Sequence, residues 1–366
     1  MKKLYTTNKH KRRNKTRAKN SLKRKLAFKE YKRQKNISEL GLSKPALAHK
    51  RKFEEPYKDY IKIHAPSKLS FIDNSSEVVK FIDKLKKHYD LKNKVFVVLE
   101  NVEEISYDAI VVLLSIMVKF KANKIKFNGD FPKNPDARKI LDESQFLKYL
   151  YQQFKDSDRY SLGQKSSIHT HAWKDVDAEL GSELIRQASK TIWGEERRCQ
   201  GVQRTMIELM LNTNNHADDS KKGEKHWWIS VHHDEINQKV SFAFIDFGVG
   251  VFSSLNNKRS NSKFYGILAK VKERYKYGNN ADLLNLILDG SVHKTATNKP
   301  YHGKGLPGIN MALNRNQISN LNIITNNVHA NVSDSDFKIM PNSFSGTFVY
   351  WEVNKTNKSS HGINRN

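Results

Sequence analysis

Glu208, Asn212 and His216 recur at four-residue intervals inside Cys199 to Ala217, a segment whose apolar residues have helical spacing. At about 3.6 residues per turn the three stack on one helical face. A stripe of carboxylate, carboxamide and imidazole reads either as a plain solvated face or as a site. Downstream sequence favours the site.

Val240-Ser-Phe-Ala-Phe-Ile-Asp246-Phe-Gly248-Val-Gly250 is a β-rich apolar run ending in a carboxylate and two glycines. Glycine there lets backbone approach a ligand or take positive φ. His302-Gly303-Lys304-Gly305-Leu-Pro-Gly308 then opens a second helical segment, Ile309 to Ile318. Free N–H groups at a helix start beside a lysine suit phosphate. A last β-rich run surrounds Ser345-Gly346-Thr347-Phe-Val-Tyr350.

These elements, in this order, resemble the GHKL ATPase superfamily of gyrase, heat-shock chaperones, sensor histidine kinases, MutL and anti-sigma-factor serine kinases. The resemblance runs from about Asp175 to Val353 and implies an α/β sandwich binding ATP with Mg²⁺. It implies Asn212 as the Mg²⁺ ligand and Glu208 as the catalytic group that polarises the attacking water or hydroxyl. Asp246 would accept the adenine amino group, with Gly248 and Gly250 passing the base. Gly303, Lys304, Gly305 and Gly308 would cap the phosphates, and Thr347 would lie near the adenine. The spacing Glu-x-x-x-Asn-x-x-x-His-Ala is similar to the anti-sigma kinases, which places His216 near the phosphates. The fifty residues between Gly250 and Gly303 correspond to the ATP lid, with helical stretches Lys263 to Tyr275 and Ala281 to Leu288. Lys294, Thr295 and Lys304 are its candidates for phosphate contact.

A chain of 366 residues suggests two or three domains, and its 37% hydrophobic content still allows a sizeable core. One cysteine, Cys199, excludes internal disulfides and Cys-cluster metal sites and suits a reducing cytoplasm. No apolar run reaches the roughly 20 residues needed to span a bilayer, and no secretion signal is read at the start. The expected location is cytoplasmic.

Of the net charge of +27, much sits at the start, where Met1 to Lys35 holds sixteen Lys or Arg and one acid, Glu30. Self-repulsion and low hydrophobicity favour disorder. The tail reads as a nucleic-acid or other polyanion arm, as a segment for an anionic membrane, or as a solubilising extension. With no base-reading motif, nucleic-acid binding through residues 1–35 would be largely independent of sequence.

From Tyr60 the texture alternates: strand Ile61 to Ile63, helix Ser76 to Tyr89, buried strand Lys94 to Glu100, helix Ala109 to Phe120, strand Lys124 to Phe127 and helix Pro135 to Tyr149. Such alternation implies an α/β layer with largely parallel pairing. Over Tyr57 to Phe154 it resembles a STAS domain, the fold of anti-sigma-factor antagonists. The strand Val95 to Leu99, the run Ser106-Tyr107-Asp108-Ala109 and the segment Ile140 to Phe146 carry the likeness. The antagonists' Asp-Ser-Ser-Gly signature is replaced here, and Asp108 reads as a helix N-cap.

The expected organisation is a basic disordered tail and connector (1–56), a STAS-like α/β domain (57–154), a linker with His169 and His171 (155–174), a GHKL domain (175–354) and a C-terminal tail (355–366). In the GHKL domain, His226 to His233 and Lys239 to Asp246 form a β-hairpin with Trp227 and Trp228 on opposite faces, and helices cover one face of a mixed sheet. No paired helix carrying a phosphorylatable histidine precedes it. Expected partners are ATP, a protein at the STAS-like domain and nucleic acid at the tail; a second copy of the chain stays open. Two function classes remain: a protein kinase or ATPase using Glu208, and a non-kinase ATP-gated switch.

Overall fold

The fold is taken from a computed structural model that describes residues 8–39, 57–151, 177–216, 227–256, 266–292 and 305–359. The chain forms two compact units, Met1–Tyr60 and Ile61–Asn366. In the first unit, α1 spans Asn8–Glu39 as one helix, which corrects the expectation of disorder for that stretch. Lys, Arg, Ala, Leu and Gln are good helix formers, and neither Gly nor Pro interrupts the 32 residues.

The second unit begins with β1 (Ile61–His64), β2 (Lys68–Leu69), α2 (Ser75–Asp90), β3 (Val95–Val98), β4 (Glu104–Ile105), α3 (Tyr107–Ala122), β5 (Phe127–Gly129), α4 (Pro135–Glu143) and α5 (Phe146–Tyr151). β1, β3 and β5 make a three-stranded parallel sheet in the order β1-β3-β5, and β2 pairs β4 in parallel. The expected parallel α/β layer is therefore present. Two boundaries move. Lys124 takes φ 57°, which delays the next strand to Phe127. Gln145 takes φ 55° and splits the single helix expected over Pro135 to Tyr149 into α4 and α5. Asp108 is buried in the first turn of α3 and accepts from the N–H of Ile72 at 2.9 Å, while Ser106 occupies the N-cap position. Asp108 thus ties two loops together instead of capping.

Next come α6 (Ala178–Trp193), α7 (Gln200–His216), β6 (Trp227–Asp234), β7 (Lys239–Asp246), α8 (Val251–Asn256), α9 (Ile267–Tyr275), α10 (Asn280–Leu288), α11 (Leu306–Asn314), β8 (Ser319–Asn331) and β9 (Asp336–Asn354). α6 starts where Asp177 accepts from the Leu180 N–H at 2.8 Å and stops at Gly194, left-handed at φ 77°. The four strands run β6-β7-β9-β8, and every pairing is antiparallel, so the mixed sheet expected here is corrected.

Trp227 and Trp228 lie on opposite faces, as their alternation implies. Trp227, Ile229, Val231, Phe242 and Phe244 join a core with α6, α7, α10 and α11. Trp228, Ala243, Ile245, Ile324, Phe344 and Phe348 join a second core with α2, α3 and the parallel sheet. Helices therefore cover both faces of the antiparallel sheet, not one. The reason is visible in the strands, which are apolar at successive positions and would otherwise leave Trp228, Ile245 and Phe348 in water, at about 1.5–3 kcal/mol each. Phe71 packs edge-on against Phe344 and Phe348, with centroids 5.3 and 4.8 Å away. Ser75 Oγ meets His329 Nδ1 at 3.0 Å, and Tyr107 stacks on His232 at 3.8 Å. The regions expected as separate domains thus share one compact unit.

Candidate functional site

β7 ends at Asp246, flanked in register by Trp227 on β6 and Thr347 on β9. The Gly248 N–H donates to Asp246 Oδ1 at 2.9 Å, and Thr347 donates to the same carboxylate. Burial pushes the Asp246 carboxyl up to about 6, against the opposing pull of these donors and of the Lys119 ammonium. A half-buried carboxylate held by a few donors keeps acceptor capacity for a ligand.

Two glycines make this corner feasible. A Cβ on Gly346, which has φ 141°, would sit 2.1 Å from the Asp246 carbonyl oxygen, so only glycine lets β9 come this close. Gly250 has φ 78°, and a Cβ there would lie 2.4 Å from Asn326 Oδ1. Asn326 fastens the turn: its Oδ1 accepts from the Phe252 N–H at 3.1 Å and its Nδ2 donates to the Val249 carbonyl at 3.0 Å. Thr325 Oγ1 accepts from the Val251 N–H at 3.1 Å and donates to the Gly346 carbonyl at 3.0 Å. The loop that carries Gly248 and Gly250 is thereby tied to both β8 and β9.

A second group of residues forms where α11 packs along α7. Glu208 is buried in α7, 3.9 Å from the Nε of Arg204 one turn earlier. Asn212 follows one turn later and faces Gly305, where a Cβ would stand 3.0 Å from its Nδ2 and 3.1 Å from its Oδ1. Gly305 is the N-cap of α11 with φ 127°, and Pro307 in the first turn gives up an N–H that the helix does not need. A Cβ on Gly308 would lie 3.5 Å from Arg204 Nε. The structure thus brings Asp246, Gly248, Gly250 and Thr347 to one corner, and Glu208, Asn212, Gly305 and Gly308 to the α7–α11 seam. His216 closes α7, and its side chain lies outside the described residues. Gly303, Lys304, Lys294, Thr295, His169, His171 and His226 also lie outside them.

The segment expected as one long lid is partly built into the core. Ile267 and Val271 of α9 and Leu283, Leu284, Ile287 and Leu288 of α10 are buried with the main cluster. Asn279 and Asp282 form a capping box at the start of α10, and Asn310 donates to the Leu288 carbonyl at 3.1 Å.

Sequence reasoning missed Arg204, Thr325, Asn326, Gly346 as a steric requirement, and Lys119. Arg204 was within reach, since it continues the four-residue stripe backwards from Glu208. Lys119 belongs to α3 and places its ammonium 4.2 Å from the Phe247 ring centroid, next to Asp246. Among the described residues, no cluster of three or more His, Cys, Asp or Glu side chains could hold a metal. No family model matches the chain, and no curated protein matches it. Among the described residues no helix is long and apolar enough to cross a membrane.

Proposed function

We propose that this protein is a GHKL-type regulator that binds ATP with Mg²⁺. The observation that carries the reading is the corner at Asp246: a carboxylate at a strand end, held by Thr347 and the Gly248 N–H, in a turn that requires Gly250 and Gly346. That carboxylate is an acceptor suited to an adenine amino group, and the glycines let a flat base pass the backbone.

The α7–α11 seam supplies the phosphate end of the same reading. Asn212 faces the Gly305 turn, where a Cβ would stand 3.0 Å from its Nδ2, so glycine lets the turn approach the carboxamide closely. Mg²⁺ keeps several waters and binds through few protein groups plus phosphate oxygens, so one carboxamide fits this role without an acidic cluster. When bound, Mg²⁺ would neutralise charge on the phosphates. Glu208 would hold or accept the proton of the attacking water or hydroxyl, with the Arg204 guanidinium 3.9 Å away, one helical turn earlier. Arg204 also borders Gly308, at the turn that would cap the phosphates.

A second reading, an ATP-gated switch without phosphoryl transfer, is favoured by Lys119. This residue belongs to the STAS-like layer yet sits over Phe247 and its charge favours the ionised Asp246 carboxylate, so a shift of α3 would be felt at the base-recognition corner. Partner exchange through a phosphorylated hydroxyl at the α3 start draws no such support, because the Ser106 hydroxyl bonds inward to Asp108 and the Leu69 carbonyl. Incubation with γ-labelled ATP separates the two readings. The enzyme reading predicts label on protein or free phosphate, lost by about 10²- to 10⁴-fold in Glu208→Gln while ATP still binds. ATP binding without turnover in wild type leaves the switch.

A further inference from the structure

We propose that α1 is an arm for duplex DNA that seats in the major groove. The proposal rests on the first compact unit and is independent of nucleotide binding. Fourteen Lys and Arg residues and two acids, Glu30 and Glu39, occupy Asn8–Glu39. A helix of this length is about 48 Å long. At about 100° per residue, Arg24, Lys25, Lys15 and Arg12 fall in four different quadrants of the helix, so positive charge surrounds the axis.

This distribution selects among polyanions. A helix that lies on an anionic membrane needs a continuous apolar face opposite its charges. In α1 the side chains from Lys11 to Glu30 are all exposed, and Leu22, Leu26 and Phe28 stand among charges with 58%, 58% and 53% of their surface in solvent. Among the described side chains of α1 no such face is built. A groove with phosphates along both walls matches charge on all sides, and the B-form major groove, about 12 Å wide, admits one α-helix. The A-form RNA major groove is too deep and narrow for the same fit. Arg12, Arg13 and Arg17 border one concavity with Asn8 and Thr16, which groups three guanidinium side chains suited to phosphate oxygens. α1 carries no base-reading motif, so the binding is set by phosphates and by duplex form.

Fluorescence anisotropy with a labelled 24-base-pair DNA duplex tests this, using the full chain across a salt series. The full chain should bind the duplex with a steep salt dependence. The variant carrying Arg12→Gln, Arg13→Gln, Arg17→Gln and Arg24→Gln should lower the slope of log K against log salt by about 3 to 4, at roughly 0.9 per lost phosphate contact. Gln is a comparable helix former, so circular dichroism should show equal helix content in both chains. Single-stranded DNA and duplex RNA of the same sequence, and vesicles of anionic phospholipid, should bind at least tenfold more weakly than the DNA duplex. An unchanged slope in the four-site variant, or equal affinity for any of the three alternative probes, would overturn the proposal.

Discussion

Thr347 stands opposite Asp246 in the β7–β9 ladder and donates to its carboxylate, while the next residue back, Gly346, leaves no room for a side chain against the Asp246 carbonyl. One backbone register therefore fixes the position of the carboxylate and supplies one of its donors.

The ionisation has a measurable consequence for stability. Asp246 titrates near 6 in the folded chain against an ordinary 3.8, chiefly through burial. A raised carboxyl pKa means that folding favours the protonated form, so the stability this group contributes is present below about pH 4 and is lost as pH rises through about 6. Asp246→Asn removes that titration. The stability of the variant relative to wild type should rise by about 1–3 kcal/mol between pH 4 and pH 7, read from urea midpoints. A flat difference across that range would contradict the assignment.

The steric role of Gly346 separates from simple backbone preference by comparison with Gly194. Both have positive φ, at 141° and 77°, but a Cβ on Gly194 meets nothing within 4 Å. Gly194→Ala should lose about 1 kcal/mol, the ordinary penalty for a left-handed residue. Gly346→Ala should lose roughly 2–4 kcal/mol or fail to fold, because the obstacle is backbone that cannot step aside. Equal losses in chemical denaturation would remove the argument that β9 must approach the corner this closely.

Lys119→Met tests the link from α3 to the corner. Met keeps much of the apolar stem over Phe247 and removes the ammonium, so the Asp246 titration should move to higher pH and ATP affinity at pH 7 should fall. The same stability-difference curve against Asp246→Asn, recorded in the Lys119→Met background, reads the shift. An unmoved midpoint would leave Lys119 as a packing residue only.

Much of this arrangement was legible in the sequence, and the exceptions share a physical cause. The period-two alternation placed Trp227 and Trp228 on opposite faces, and the strand-helix alternation from Ile61 gave a parallel layer. Helical spacing placed Glu208 and Asn212 one turn apart in a single helix, α7. Long-range contacts were not legible: Asn326 bracing Gly250, and α2 and α3 covering the back of the antiparallel sheet, depend on pairings far apart in the chain. The α1 stretch was misread because charge density argues for disorder while residue propensity argues for helix, and in this structure propensity prevails. At Gln145 a single left-handed residue broke a helix that periodicity read as continuous.

The central claim is that Asp246 receives an adenine, and calorimetric titration of the full chain with Mg·ATP and Mg·GTP at pH 7.5, for wild type and Asp246→Asn, tests it most directly. Wild type should bind ATP in preference to GTP, and Asp246→Asn should weaken ATP binding by about 1–3 kcal/mol, the range for a hydrogen bond to a charged group. No heat with ATP in wild type, or equal ATP affinity in Asp246→Asn, would contradict the account.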